Sequence, residues 1–295
     1  MSLRDYEYIK AVAELGHFGL AAKRCHVSQP TLSMQIKKFE DRHQIQLFER
    51  DNKNVHLTKE GQVVIKQIET VLQAQSELIN TVNHLKNPNS GEYILGAFPT
   101  LAPFFLPQIM PSLVKDFPKI KFFFSEERSP DLIEQLSEHK LDAIFLALPL
   151  ENETKFEYVP LFTEEFFVAL PKGHPLSSAK TINLKDLKNE TLMLLEDSHC
   201  LSGQALEACQ WAGLKRTHDF RATSIETLRQ MVANGLGVTL VPKMAIRKDD
   251  PGIIYKPLDK TSKAGRTIGL VWRKGYPHTD LMQRFATIIQ NVYRK

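Results

Sequence analysis

Three patterns of apolar spacing follow one another along the 295-residue chain, and each predicts a different kind of structure. Up to residue 57 the apolar positions come in short helical groups. Tyr6, Ile9, Val12, Ala13 and Leu15 keep roughly helical spacing until Gly16 interrupts it. Phe18–Cys25 reads as a second short helix, and His26-Val27-Ser28 as a turn. Ser28 is a good N-cap and Pro30 is tolerated in a first turn, so a third helix is expected from about Gln29 to His43. Its Leu32, Ile36 and Phe39 recur at four and three residues, leaving Thr31, Ser33, Gln35, Lys37 and Lys38 on the other side. Leu47 to Leu57 predicts two short strands around a polar turn, the shape of a wing.

The second pattern is a heptad. From Thr58 to about Asn87 there is no proline and a single glycine, Gly61. Val64, Ile68, Val71, Gln75, Leu78, Val82 and Leu85 alternate spacings of four and three, an apolar seam with one polar member. Such a helix would be roughly 45 Å long. A helix packed on its own domain and a helix that pairs two subunits both fit this seam. The Asn87-Pro-Asn-Ser-Gly91 break after it favours a separate pairing and linker element.

Beyond residue 91, runs of strand character alternate with helical ones. Strands are expected near Tyr93–Phe98, Ile120–Phe124, Leu141–Leu148, Glu165–Leu170, Thr191–Leu195, His218–Ala222, Val238–Val241 and Thr267–Trp272. Helices are expected near Pro130–His139, Ile225–Ala233 and Thr279–Tyr293, with Ser129-Pro130 as a cap and first-turn proline and Thr223-Ser-Ile-Glu226 as a capping box. The alternation predicts an α/β fold with largely parallel sheets. The expected organisation is a winged helical domain over 1–57, a linker helix over 58–90 and an α/β domain over 91–295.

Composition narrows the class only slightly. Apolar content of 42% and charged content of 24% are ordinary for globular proteins, and a net charge of +4 permits nucleic-acid binding without requiring it. Basic bias is local: His17 to Lys59 holds 8 Lys/Arg against 4 Asp/Glu, plus four histidines. No apolar run reaches the roughly 20 residues a membrane helix needs. The start of the chain lacks the order of a signal peptide, and three cysteines are too few for a disulfide scaffold. A reducing, cytoplasmic compartment is the expectation. No P-loop or dinucleotide fingerprint is present, and no Ser/His/Asp spacing supports a hydrolase. No cofactor is expected.

Cys200 and Cys209 are nine residues apart. In one straight helix that is about 900° of rotation and roughly 13.5 Å of rise, so the sulfurs would point to opposite sides. A disulfide needs Cα atoms within about 7 Å. If this region is helical and the pair bonds, the segment must refold. Two inert structural thiols are the plain alternative. A metal site through His199, Cys200, Cys209 and His218 does not match zinc spacings. Cys25 reads as a small core residue.

The first region carries a specific resemblance. Ala21-Ala22, Val27-Ser28-Gln29-Pro30-Thr31-Leu32-Ser33, Ile36, Glu40, Leu47-Phe48-Glu49-Arg50, Leu57-Thr58 and Gly61 resemble the LysR-type transcriptional regulators over about 62 residues. The resemblance implies a winged helix–turn–helix followed by a linker helix. After these comes an effector domain of two Rossmann-like subdomains similar to periplasmic binding proteins, about 91–163 with 267–295 and about 164–266. It implies operator DNA as partner, with Gln29, Pro30, Thr31, Ser33, Met34, Gln35 and Lys37 on the recognition helix and Arg50 and Lys53 on the wing. Many relatives have Arg where this chain has Met34.

The second half resembles the peroxide-sensing branch of that family. The matching residues are Leu192 to Cys200, Gln204-Ala205, Cys209, Ala212-Gly213, His218 to Ala233, Gly237 to Pro242, Arg266 to Val271 and Phe98 to Pro107. This implies that Cys200 reacts with hydrogen peroxide, that Cys209 resolves it by forming a disulfide, and that Thr100, Ser129, His199 and Arg266 line the peroxide pocket. Relatives commonly have Thr at Ser129 and His at Pro130. The implied assembly is a homodimer or homotetramer, with RNA polymerase and a thiol reductant such as glutaredoxin or thioredoxin as further partners. A LysR-type regulator responding to a small molecule in the subdomain cleft, and a thiol peroxidase, remain as alternatives. The winged helix argues against the enzyme, which would have no use for it.

Overall fold

The computed structural model of the chain describes residues 2–50, 55–86, 89–150, 153–195, 221–222, 224–262 and 264–294. They fall into two compact units, Met1–Asn83 and His84–Lys295.

The first unit contains α1 (Leu3–Leu15), α2 (Phe18–Arg24), α3 (Gln29–His43), a hairpin of β1 (Phe48–Arg50) and β2 (Val55–Leu57), and most of α4 (Lys59–Lys86). Helix α1 ends at Gly16 because the C-cap needs a left-handed backbone (φ +58°), which glycine adopts without a steric penalty. The imidazole of His17 then caps α2, its Nδ1 accepting from the backbone N–H of Gly19 and Leu20 at 3.0 and 3.3 Å. Ser28 caps α3 as expected, accepting from the Thr31 N–H at 3.2 Å. Ile9, Val12, Ala21, Ala22, Leu32 and Ile36 close the core between the three helices. Alanines at 21 and 22 allow α2 to approach its neighbours closely.

Helix α4 divides the heptad seam. Ile68 is buried, and Val64, Ile65 and Leu72 pack against the core of the first unit. Further along, Val71, Leu78, Ile79 and Val82 are 42%, 63%, 51% and 42% exposed. One half of the stripe therefore serves its own domain, and the other half is left open.

The second unit runs β3 (Ser90–Ala97), α5 (Ala102–Asp116), β4 (Lys119–Glu126), α6 (Ser129–Ser137), β5 (Ala143–Leu148) and β6 (Phe156–Pro171). It continues with β7 (Leu194–Leu195), β8 (Arg221–Ala222), α7 (Ile225–Ala233), β9 (Thr239–Pro242), β10 (Ile253–Pro257), β11 (Gly265–Arg273) and α8 (Thr279–Tyr293). Seven strands form one sheet in the order β10-β6-β11-β5-β3-β4, with β9 also on β6. Strand β3 is parallel to β4 and β5, as the crossover helices α5 and α6 require.

The expectation of largely parallel sheets is corrected beyond that point. Strand β11 is antiparallel to both β5 and β6, and β6 is antiparallel to β9 and β10. The cause is the path of the chain. Strand β6 pairs with β11 over Phe156–Glu165, then with β9 and β10 over Phe166–Pro171. One strand leaves the first half of the unit and β11 returns to it, so the two must run in opposite directions. Separate apolar cores flank this change of partners, one around Phe105, Phe145, Trp272 and Phe285, the other around Phe166, Met193, Leu228 and Val241.

Two expected caps shift by one residue. Helix α6 begins at Ser129, with Arg128 as the extended N-cap, so Ser129 is the first helical residue and not the cap. Helix α7 is capped by Ser224, whose hydroxyl accepts from the Thr227 N–H at 3.1 Å; Thr223 lies outside the described residues. Extended backbone at Arg128 and at Ser224 decides the place of each cap. No described helix is long and apolar enough to cross a membrane.

Candidate functional site

Two regions gather the chemistry that the sequence singles out. In the first unit, α3 buries Leu32, Ile36 and Phe39 and leaves Gln29, Pro30, Thr31, Met34 and Lys37 exposed, with Ser33 and Gln35 half-buried. Thr31 has a second task, because its hydroxyl lies 2.7 Å from that of Ser28 and helps to close the first turn. Arg50 stands in β1 opposite Val55, and Lys53 lies outside the described residues.

The signature residues between helix and wing have structural work. Glu40 Oε1 accepts from the N–H groups of Leu47 and Phe48 at 2.8 and 3.3 Å, fixing the base of the hairpin to α3. Thr58 donates its hydroxyl to the Gln46 carbonyl at 2.6 Å and accepts from the Gly61 N–H at 2.9 Å, capping α4. A rigid helix and wing follow from these ties, which is what a helix entering a major groove requires. Cys25 ends α2, half-buried against the same core, and burial pushes its thiol pKa up. It is thereby kept a poor nucleophile.

In the second unit, Thr100 lies in the turn after β3 and Ser129 at the head of α6, just after β4. Both sit beyond the carboxyl ends of parallel strands, the usual place for a site in an α/β sheet. Arg266, 2% exposed, reaches Thr100 twice: Nη1 donates to its hydroxyl at 3.0 Å and Nη2 to its carbonyl at 3.1 Å. The guanidinium also lies over the Phe98 ring, 5.2 Å from its centroid. Ser129 is buried as well. His199, Cys200 and Cys209 lie outside the described residues.

A residue that the sequence reading passed over completes this cluster. Glu164, 5% exposed, faces Arg266 across the β6–β11 ladder. Its Oε1 accepts from Arg266 Nε at 2.7 Å and forms an ion pair with Nη2, also at 2.7 Å, and its Oε2 accepts from the Met244 N–H at 3.2 Å. The available signal was strand alternation: with Glu164-Glu165 entering an apolar strand, one carboxylate had to point inward. Among the described residues no group of three or more His, Cys, Asp or Glu side chains is placed to hold a metal ion.

Comparison with known proteins agrees with both regions. Residues 3–62 match the bacterial regulatory helix-turn-helix protein, lysR family, and residues 86–294 match the LysR substrate binding domain. The chain is 42% identical over 293 residues to the DNA-binding transcriptional dual regulator OxyR of Escherichia coli K12, covering 98% of this chain and 95% of that protein. A full-length OxyR from Pseudomonas aeruginosa with a cysteine-to-aspartate substitution has a TM-score of 0.76 at 34% identity, covering 98% of this chain and 95% of that one. A cysteine-to-serine mutant of Corynebacterium glutamicum OxyR, H2O2-bound, has a TM-score of 0.68 at 28% identity, covering 99% and 92%. The chain therefore belongs to the LysR family of transcriptional regulators, in the branch of the OxyR proteins.

Proposed function

We propose that this chain regulates transcription by sensing hydrogen peroxide through Cys200 and Cys209. The observation that carries the reading is the buried Arg266–Thr100 arrangement at the carboxyl edge of the sheet, in a chain 42% identical to a hydrogen peroxide-inducible genes activator of Escherichia coli. The Cys200 thiolate attacks one peroxide oxygen; an S–O bond forms, the O–O bond breaks, and hydroxide leaves and is protonated to water. The Cys209 thiolate then attacks the sulfenic sulfur, forming the S–S bond as the oxygen departs as a second water. A dithiol such as glutaredoxin or thioredoxin returns two electrons. Arg266 and Thr100 supply hydrogen-bond donors for the departing oxygen, with Ser129 and His199 as further members of the pocket.

The output is DNA binding. Gln29, Thr31, Ser33 and Gln35 would meet base edges, and Lys37, Arg50 and Lys53 phosphates, with Met34 on the same face beside the phosphate backbone and Pro30 shaping the entry of the helix. The exposed stripe of Val71, Leu78, Ile79 and Val82 supports pairing of α4 with a second copy, so that two helix–turn–helix units reach successive half-sites. Refolding of the cysteine segment would then change half-site spacing and contact with RNA polymerase.

Thiol counting tests the sensing step. After one equivalent of hydrogen peroxide the wild type should fall from three thiols to one, with Cys25 retained. Cys200→Ser and Cys209→Ser should form no intramolecular disulfide. A wild type that keeps all three thiols while its DNA binding follows a metabolite would overturn the reading, and rapid steady-state peroxide turnover would favour a thiol peroxidase instead. The DNA reading has its own test. Met34→Arg should strengthen operator binding and steepen the slope of log K against log salt by about 0.9, one added phosphate contact. An unchanged slope would place residue 34 away from the DNA.

A further inference from the structure

We propose that Glu164 is a positioning residue of the peroxide pocket, acting through Arg266 to set the direction of the Thr100 hydroxyl. This deepens the proposed function and rests on Cys200 being the peroxide-reactive thiol. The argument begins with valence. Arg266 Nη1 donates to Thr100 Oγ1, so that oxygen is an acceptor on this side and its own O–H points elsewhere. A guanidinium has no lone pair to accept with, so the polarity cannot reverse. Thr100 is left with its proton available to the oxygen that leaves when Cys200 breaks the O–O bond. The hydroxide departs with that hydrogen bond and takes its proton from solvent, so Thr100 directs the leaving oxygen without being consumed.

What holds Arg266 in this pose is Glu164. The carboxylate accepts the Arg266 Nε–H on one oxygen, with the charged Nη2 2.7 Å from the same atom, and the Met244 N–H on the other. An amide cannot do this. Glutamine offers one oxygen, and its NH2 would face an N–H either at Arg266 or at Met244. Glu164 also ties the pocket to the next layer of the unit. Met244 belongs to the short 3-10 turn Lys243–Ala245, and the Ala245 carbonyl accepts from Arg229 Nη1 of α7 at 3.1 Å. Arg266 is thus held from the crossover strand β6 and, through Glu164, from the turn on which α7 is anchored.

The test measures the rate of Cys200 oxidation by hydrogen peroxide in the full-length chain, by alkylation quench and mass spectrometry of the Cys200 peptide, at a pH where the thiol is ionised. Glu164→Gln is expected to slow oxidation about a hundredfold, the scale of a displaced positioning group. Glu164→Asp keeps the charge with a shorter arm, folds more readily, and should slow oxidation about tenfold. The exchange Glu164→Arg with Arg266→Glu separates positioning from mere stability. It retains an ion pair across the same ladder but removes the donors from Thr100 and the acceptor from the Met244 N–H, so melting should recover above that of Arg266→Ala while oxidation remains slow. Wild-type rates in Glu164→Asp, or a restored rate in the exchanged pair, would overturn the proposal and leave the sensing role of Cys200 intact. A wild type whose Cys200 does not oxidise would overturn both.

Discussion

Arg266→Ala should destabilise the His84–Lys295 unit by about 3–5 kcal/mol, the cost of leaving one partner of a buried ion pair alone. Arg266 and Glu164 are both nearly inaccessible to water, and the substitution takes the guanidinium from the Glu164 carboxylate and leaves it the neutral Met244 N–H. It also removes both donors from Thr100. For a unit of this size the melting midpoint should fall on the order of 10 °C, read as the corresponding transition in calorimetry. The double change Arg266→Met with Glu164→Met should cost less than Arg266→Ala alone, because two apolar side chains leave no unpaired charge. A loss below about 1 kcal/mol for Arg266→Ala would mean that water reaches the pair and screens it.

Gly61→Ala should have the next largest effect, and its sign is the informative part. In an exposed helix interior this change usually stabilises by about 1 kcal/mol. At position 61 an added Cβ would lie 2.3 Å from the Leu47 carbonyl oxygen and 3.1 Å from Leu57 Cδ2. The Leu47 oxygen cannot move aside freely, since it accepts from the Thr58 N–H at 3.0 Å and so belongs to the joint between hairpin and α4. Relief would require prising the start of α4 from the winged domain. Overpacking costs about 1–3 kcal/mol, and the upper end is expected here because the clash is with backbone. Urea unfolding of the first unit should show this loss together with weakened operator binding. Gln62→Ala, one residue on and exposed, should be close to neutral. A stabilised Gly61→Ala would show that α4 is not held against Leu47 in solution.

The helix–turn–helix was nearly all legible in the sequence. Its three helices, hairpin and α3 cap lie within one or two residues of their expected positions, because each depends on neighbours a few residues away: Gly16 for a left-handed stop, Ser28 and Pro30 for a start, Leu32, Ile36 and Phe39 for a buried face. In the second unit legibility fell where local signals pointed the wrong way. Helix α5 carries Pro107 and Pro111 in its interior, residues that ordinarily end a helix, and packing of Phe105, Ile109 and Leu113 into the core overrides them. Strand β6 is 16 residues long, and only its apolar end stood out, since over Phe156–Glu165 the buried positions, Phe156, Leu161 and Glu164, keep no two-residue rhythm. The heptad of α4 was read as one seam, yet its first half is claimed by its own domain. Spacing shows that an apolar stripe must be covered; it does not show by what.

By itself, the sequence marked a helix with polar and basic residues on its open side and two cysteines nine apart, and its resemblance to a known family pointed to Arg266 and Thr100 as pocket candidates. Those properties are local, written in caps, periodicity and motif spacing. Only the tertiary structure decided what Arg266 is paired with. Glu164 is 102 residues away in the chain, and the pairing exists because β11 returns antiparallel beside β6 in the register that sets these two side chains opposite one another. Alternation along β6 says that one carboxylate of Glu164-Glu165 points inward, but that it meets Arg266 is a matter of which strand lies beside β6 and in what register, which spacing along β6 alone does not name.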